Sequence, residues 1–262
     1  MPMEIGVETI ERQEWLEPVE DGLQGAVTRA YASAGSKGQA VKNFLHGTWL
    51  GHPLHPVLTD LPIGAWTAAL VLDAFDDGSI RRRGIGRAAD GAVGMGLLAA
   101  LPTALSGLTD WQATDGAARR VGLGHALFNI AATALFTTSW LMRRSRRRRE
   151  GRIYALAGYG FLLGGAYLGG NLVYKKQIGV DHTAGEQFPE DFVPVMPLSE
   201  LPEGQPRRVD AGGVKVLLLR RGEEIFAIGE VCAHLGGPLA EGEIIGDTVR
   251  CPWHGSRYSL QT

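Results

Sequence analysis

The sequence predicts a multidomain protein in which a four-helix transmembrane bundle is followed by a small all-β domain. Four apolar stretches, each close to the length that crosses a bilayer, occupy the middle of the chain. Short strand-like runs separated by glycine-rich turns follow them. Two boxes that each combine a cysteine with a histidine lie in this C-terminal part. We expect a soluble lead-in at 1–45, the membrane domain at 46–178 and the β domain at 188–262.

The lead-in carries a weak amphipathic pattern around Val19 and Leu23, which is typical of a surface or interfacial helix. Its opening residues are acidic and polar, unlike the charged and then apolar start of a signal peptide. The lead-in contains no motif that predicts chemistry.

The four apolar stretches run through 57–75, 88–109, 121–142 and 153–174. They are rich in Gly, Ala and Thr, which lets helices pack closely against each other. A buried soluble bundle is the alternative. Arginine-rich connectors and aromatic residues at the ends of the stretches favour a membrane bundle, so the lipid bilayer is an expected partner.

The net charge of −2 hides a clustering of the arginines at 81–83 and 143–152. Such clusters can indicate nucleic-acid binding, but each lies between two apolar stretches, where arginine marks a cytoplasmic loop. We therefore expect a multi-pass membrane protein with no nucleic-acid partner. Both chain ends, the connector at 110–120 and the β domain then lie on the extracytoplasmic side. Lys175 and Lys176 count weakly against this orientation.

A polar, turn-rich linker at 175–191 leads into the β domain. The predicted strands are 192–196, 207–210, 214–219 and 225–228. A turn at Gly246-Asp247 is predicted between the two cysteine boxes.

The two boxes contain Cys232, His234, Cys251 and His254, so each half supplies one thiolate and one imidazole. This mixture suits a two-iron, two-sulfur cluster in which the cysteines hold one iron and the histidines the other. A zinc ion is the alternative, because two Cys and two His also suit tetrahedral zinc. Zinc fingers usually pair cysteine with cysteine in one half of the site and histidine with histidine in the other. The mixed boxes of this chain therefore favour iron. Both cysteines of the chain belong to the boxes, so no disulfide framework exists.

The boxes C-A-H-L-G-G-P-L and C-P-W-H-G-S-R-Y resemble those of the Rieske iron–sulfur domain, from about Phe188 to the end. The resemblance implies a [2Fe-2S] cluster and electron transfer. Ser256 and Tyr258 match hydroxyl residues that, in quinol-oxidising Rieske proteins, hydrogen-bond a cluster sulfur and a cysteine sulfur. Gly237 and Trp253 stand where those proteins have a disulfide, and in this respect the chain resembles Rieske ferredoxins. Ordinary turn and strand roles for the two hydroxyl residues are the alternative.

The sequence ends at Thr262, directly after the second box. Rieske domains continue there with closing strands, so we expect a truncated or unusually short domain.

The run K-N-F-L-H-G-T-W-L-G-H-P-L-H-P resembles a family of uncharacterised four-helix bacterial membrane domains, over about 42–180. The resemblance implies an architecture and no activity. His52, His55, Asp110 and His125 should collect at one membrane edge, where polar groups are expensive and often functional. Three alternatives are open: a b-type haem held by His125 with His52 or His55, a quinone or metal pocket, and imidazoles that only reach the interface.

The sequence as a whole predicts a membrane-bound one-electron carrier whose electrons come from quinol or a membrane haem, with His234 and His254 as the electron port. A ferredoxin-like donor to an oxygenase and a redox-sensing binding module are the alternatives. We expect an electron-transfer component more than a stand-alone enzyme, with a redox protein or quinone as its partner.

Overall fold

A computed structural model of the chain describes residues 2–76, 83–183, 186–253 and 255–261. The chain divides into two compact units, Met1–Lys176 and Gln177–Thr262. The sequence-predicted boundaries at 45 and 188 remain predictions. Some predicted features lie outside the described residues, namely those at Arg81, Arg82, Gly185, His254 and Thr262.

In the described part of the first unit, seven α-helices form. They are α1 (Pro2–Glu11), α2 (Glu17–Ser33), α3 (Gly35–His46), α4 (Leu54–Phe75), α5 (Arg83–Trp111), α6 (Gly116–Arg144) and α7 (Arg148–Tyr174). The last four are long and apolar enough to cross a membrane, which confirms the four predicted spans by length and composition. Because α4 packs mainly on α5 and α6 mainly on α7, the bundle consists of two helical hairpins.

The core of the bundle depends on small residues opposite large rings. Trp66 on α4 stacks on Phe136 of α6, with ring centroids 4.2 Å apart and planes 6° from parallel. A Cβ atom at Gly96 on α5 would come within 2.3 Å of the Trp66 indole nitrogen. A Cβ atom at Gly164 on α7 would come within 2.5 Å of the Phe128 ring. Glycine therefore lets these helices approach as closely as the composition predicted.

Helix α2 contacts the bundle through polar side chains and leaves two of its apolar side chains exposed. Glu20 is fully buried and accepts a hydrogen bond from Arg119 at 3.1 Å. Gln24 donates to two backbone carbonyls at the end of α5 and in the α5–α6 connector. The neighbouring residues Val19 and Leu23 are 49% and 44% exposed. Exposed apolar side chains fit the predicted surface or interfacial helix.

The opposite end of the bundle carries a cluster of ion pairs, called here the Arg–Asp cluster. Its members are Asp73, Asp76, Asp90, Arg143, Arg148 and Arg152. Arg143 has a side chain only 1% exposed and donates to Asp73 at 2.9 Å and to Asp90 at 3.1 Å. Arg148 donates to Asp90 at 2.7 Å. The cluster joins the neighbouring ends of all four long helices.

The second unit contains two antiparallel three-stranded sheets in its described part. The first has β1 (Arg207–Ala211), β2 (Val214–Arg221) and β3 (Glu224–Gly229); the second has β4 (Glu243–Ile245), β5 (Thr248–Arg250) and β6 (Arg257–Ser259). Three of the predicted strands are confirmed, and the predicted turn at Gly246-Asp247 joins β4 to β5. Leu217 and Leu219 of β2 and Val249 of β5 are fully buried and pack with both cysteines.

The prediction of a strand at 192–196 is wrong, because this described segment is irregular. Pro194 interrupts it and has no N–H group for a strand ladder. Phe192, which a half-buried strand would cover on one face, is fully exposed. The short strand β6, which the sequence did not predict, pairs with β5 and sets Tyr258 opposite Val249.

Candidate metal centre

The two cysteine boxes form loops with the same backbone hydrogen bonds. In each, the cysteine amide donates to the carbonyl five residues later, at 2.9 Å for Cys232 and 2.8 Å for Cys251. The cysteine carbonyl accepts from the glycine four residues later, at 2.7 Å for Gly236 and 3.0 Å for Gly255. Both glycines have a positive φ, of 75° and 79°, which glycine adopts without a steric penalty. The sequence therefore builds one loop shape twice.

The two thiols that these loops present are buried and close together. Cys232 and Cys251 are 1% and 2% exposed, and both are free cysteines whose side chains hydrogen-bond each other. This bond from Cys251, opposed by burial, lowers the pKa of Cys232 to about 5. A Cβ atom at Gly237 would come within 2.8 Å of the Cys251 sulfur. Two thiols that face each other beside a residue without a side chain fit one iron of an iron–sulfur cluster.

Tyr258 on β6 reaches the same thiols. Its hydroxyl lies 3.0 Å from the Sγ atom of Cys232 and 3.4 Å from the backbone nitrogen of His234. Burial, and then the contact with Cys232, raise the pKa of Tyr258, while the same contact helps to lower the pKa of Cys232. A cysteine sulfur that holds a metal ion has no proton, so the phenol would then donate and the sulfur accept. Tyr258 lies where the resemblance expects a hydroxyl, against a cysteine sulfur.

The structure describes one of the two box histidines, His234. His234 is partly buried in the first loop, two residues after Cys232. His254 lies outside the described residues. Without His254, the described side chains contain no group of three or more His, Cys, Asp or Glu that could hold a metal ion. The described donors are two facing thiols and an imidazole on one of their loops. These are the types of three of the four ligands that hold a two-iron cluster of this kind.

Two further residues surround the thiols. Ser256 closes the second loop through its backbone carbonyl, which accepts the Cys251 amide at 2.8 Å. The bond predicted from its hydroxyl to a cluster sulfur stays a prediction. Trp253 lies over Gly237, since a Cβ atom there would come within 3.1 Å of its ring, and the indole is 44% exposed.

In the helical unit, two of the four polar residues predicted at the membrane edge come together. The ring centroids of His55 and His125 are 6.1 Å apart, and their planes meet at 85°. The Nδ1 atom of His55 donates to the carbonyl of Thr103 at 2.9 Å. The Nδ1 atom of His125 donates to the carbonyl of Gly165 at 2.8 Å.

The other two residues have different partners. His52 is exposed, and its Nδ1 atom donates to the carbonyl of Pro53 at 3.1 Å. Asp110 accepts a hydrogen bond from Nδ1 of His46 at 2.8 Å, and His46 is 1% exposed. The sequence analysis did not single out His46, although it belongs to the K-N-F-L-H-G run that precedes the histidine-rich motif.

Twin loops that present two buried thiols, in a chain that also has four helices of membrane length, define a membrane-associated iron–sulfur protein. Family models agree with both parts. A Rieske [2Fe-2S] domain matches residues 191–262, and a family described as predicted membrane protein (DUF2231) matches residues 51–182. Because the second match covers half of the sequence, the chain belongs to this family of predicted membrane proteins. It carries the Rieske [2Fe-2S] domain in addition.

Each of the similar proteins described here matches about a quarter of this chain. Apoptosis-inducing factor 3 of Mus musculus is 41% identical over 76 residues, which are 28% of this chain and 13% of that protein. The ferredoxin subunit of 3-phenylpropionate/cinnamic acid dioxygenase of Escherichia coli (strain K12) is 36% identical over 67 residues, 25% of this chain and 62% of the subunit. A solved ferredoxin of carbazole 1,9a-dioxygenase from Nocardioides aromaticivorans IC177 is 30% identical. That match covers 27% of this chain and 69% of the ferredoxin, with a TM-score of 0.26. The chain thus spans only part of each relative.

Proposed function

We propose that this protein is a membrane-anchored one-electron carrier whose Rieske cluster is held by Cys232, His234, Cys251 and His254. The observation that carries the proposal is the pair of matching loops that bring two buried thiols into contact. The matching loops give the two thiols equivalent positions, as two ligands of one metal ion have. When bound, a [2Fe-2S] cluster takes up and releases one electron.

The residues around the thiols have separate tasks in this proposal. Cys232 and Cys251 hold one iron, and His234 and His254 hold the other. Gly237 leaves room beside the Cys251 sulfur, which a Cβ atom at this position would approach to 2.8 Å.

The environment of the sulfurs is set by two more side chains. Tyr258 donates to the Cys232 sulfur and so stabilises added negative charge there. Trp253 covers the loops with an apolar ring that limits the access of water.

The electron source that we propose is a quinol or a membrane haem, because the Rieske domain shares its chain with four helices of membrane length. A ferredoxin-like donor to an oxygenase is the second candidate. The likeness to a dioxygenase ferredoxin subunit favours it, as does the lack of cysteine at Gly237 and Trp253. A redox-sensing binding module is the third candidate, and no specific contact favours it.

We further propose that the helices cross a bacterial cell membrane and that the Rieske domain lies on the extracytoplasmic side. The support is the clustering of arginine in the α4–α5 and α6–α7 connectors.

The test uses the full-length protein purified from membranes. Reduction by dithionite should give the electron paramagnetic resonance signal of a Rieske cluster, and a soluble quinol should reduce the same cluster. Reduction only by a ferredoxin reductase with NADH would favour the oxygenase donor. A protein that contains zinc and no iron at the boxes would overturn all three candidates.

A further inference from the structure

We propose that His55 and His125 are the two axial ligands of a haem iron held between α4 and α6. This is a second cofactor site, separate from the cysteine boxes, and it does not depend on the cluster. A haem there would be one of the two electron sources considered above.

The hydrogen bonds of the two rings fix their protonation. Each Nδ1 atom faces a backbone carbonyl, from Thr103 at 2.9 Å for His55 and from Gly165 at 2.8 Å for His125. A carbonyl can only accept, so each Nδ1 carries the proton and each Nε2 keeps its lone pair. Metal-binding histidines are usually fixed in this way, with the second nitrogen donating to a carbonyl or carboxylate.

The separation of the rings suits one metal centre between them. An imidazole nitrogen binds a metal at about 2 Å, so two rings on one ion have centroids about 6 Å apart. The observed separation is 6.1 Å, with the rings at 85° to each other.

The number of available ligands favours haem over a bare ion. Structural zinc takes four protein ligands and catalytic zinc three. Within the described ranges, no group of three or more His, Cys, Asp or Glu side chains forms. Haem iron receives four nitrogens from its own macrocycle and needs at most two protein ligands. The histidine pair is therefore sufficient for haem and insufficient for zinc.

The packing behind each ring makes room for it and holds it. A Cβ atom at Gly107 on α5 would come within 2.6 Å of Cε1 of His55, and one at Gly169 on α7 within 3.0 Å of Cε1 of His125. Each imidazole thus rests on a glycine of the other helix in its own hairpin. The pair lies where the two hairpins face each other, which is where bundles place cofactors.

Asn129 lies beside the His125 ring. Its Nδ2 atom lies 3.2 Å from Nε2 and 3.4 Å from Nδ1 of His125, so it is off the axis of the Nε2 lone pair, and it donates to the His125 carbonyl at 2.8 Å. Because the amide keeps the carbonyl bond, it can leave Nε2 to a metal without losing its own partner. Polar groups of this kind inside a membrane bundle are costly, and a ligand for them offsets that cost.

The test measures haem in full-length protein produced with added haem precursor and, in parallel, reconstituted with haemin. A pyridine haemochrome spectrum should show b-type haem in a stoichiometric amount, and the oxidised protein should give a low-spin, bis-imidazole resonance signal. His55→Ala and His125→Ala should each lose most of the haem. His52→Ala is the matched control and should keep it, since that ring is exposed and lies on the carbonyl of its neighbour.

His55→Met keeps a ligand at the site and should shift the spectrum without loss of haem, which separates ligation from folding. Retention of the Rieske signal in every variant shows that a loss of haem is local to the bundle. Wild-type protein that takes up no haem by either route overturns the proposal. So does haem that persists unchanged in both alanine variants, or a bare metal ion or quinone found at the pair in place of haem.

Discussion

The hydroxyl of Tyr258 lies 3.0 Å from the sulfur of Cys232, although 26 residues separate them in the chain. The contact exists because β6 pairs with β5 and sets Tyr258 beside the first loop. The phenol donates to the sulfur, so the bond strengthens when the sulfur becomes more negative. A cluster on these cysteines would then be easier to reduce.

Tyr258→Phe removes this donor and leaves the ring. Hydrogen bonds to charged groups contribute roughly 1.5–3 kcal/mol, and the part that differs between oxidation states should shift the midpoint potential by roughly 40–90 mV. We expect the midpoint to fall by this amount in a redox titration followed by electron paramagnetic resonance. A phenylalanine variant with full cluster occupancy and the wild-type midpoint would show that the contact does not tune the cluster.

Ser256→Ala tests the second predicted hydroxyl donor. The backbone carbonyl of Ser256 holds the second loop, and alanine preserves that bond. If the hydroxyl reaches a cluster sulfur, the midpoint should again fall by roughly 40–90 mV. Ser256→Thr keeps a hydroxyl and is the control for the titration. No change at full occupancy would limit Ser256 to its role in closing the loop.

Cys251→Ser should abolish the Rieske signal while the helical unit still inserts. The two units are separate by their contacts, and the bundle core of Trp66 and Phe136 contains no part of the second unit. Iron content, the resonance spectrum and membrane extraction at high pH measure the three outcomes. Arg257→Ser, six residues later and exposed, is the control. A variant that keeps the Rieske signal would refute the ligand assignment.

The sequence predicted the long helices and the three-stranded sheet β1–β2–β3 because each has a strong local pattern. Apolar length identifies α4 to α7, and glycine turns bound the strands. It could not predict β6, which is three residues long and gains its conformation by pairing with β5. It wrongly predicted a strand at 192–196, where the apolar residues form a continuous run but Pro194 has no N–H group for pairing.

The sequence predicted the site residues whose spacing indicates metal binding. It did not predict the residue pairs that form only through tertiary contacts. The spacing of the boxes identifies Cys232 and Cys251 as candidate ligands. The contact between the two thiols and the matching shape of the two loops do not follow from composition. Among the membrane residues, sequence position could not show that His125 meets His55, nor that Asp110 pairs with His46. Each of these pairings joins residues more than sixty positions apart.

The Arg–Asp cluster predicts a large loss of stability when Arg143 is replaced. Arg143→Met removes the most buried partner of Asp73, which keeps only the longer contacts with Arg148 at 3.5 Å and Arg152 at 3.3 Å. Breaking a buried pair costs about 3–5 kcal/mol, and the two remaining arginines should bring the loss toward the lower end. Thermal unfolding in detergent should show the loss. Arg144→Met is the matched control, since Arg144 lies on the ring of Trp140 at 4.3 Å, a contact of about 0.5–1 kcal/mol when exposed. Equal effects of the two changes would contradict the prediction.

The double variant Arg143→Met with Asp73→Asn sharpens this test. Asparagine removes the charge that loses Arg143 as its buried partner, so the double variant should lose less stability than the sum of the single changes. Strict additivity would mean that the two side chains do not stabilise each other.

The last prediction concerns the orientation of the bundle in the membrane. The Arg–Asp cluster affects how this orientation should be tested. Arg143, Arg148 and Arg152 are paired with aspartates in the folded protein. Orientation, however, follows the number of Lys and Arg residues near the ends of the spans, and acidic residues contribute little. The arginine-rich connectors should therefore remain cytoplasmic. A reporter fused after Thr262 should be active outside the cytoplasm, and one inserted at Arg146 should be active inside. Replacing Arg144, Arg146 and Arg149 by asparagine should weaken this bias while the Arg–Asp cluster keeps the fold, because none of the three belongs to the cluster. A reporter after Thr262 that is active only in the cytoplasm would reverse the orientation and leave the four spans unchanged.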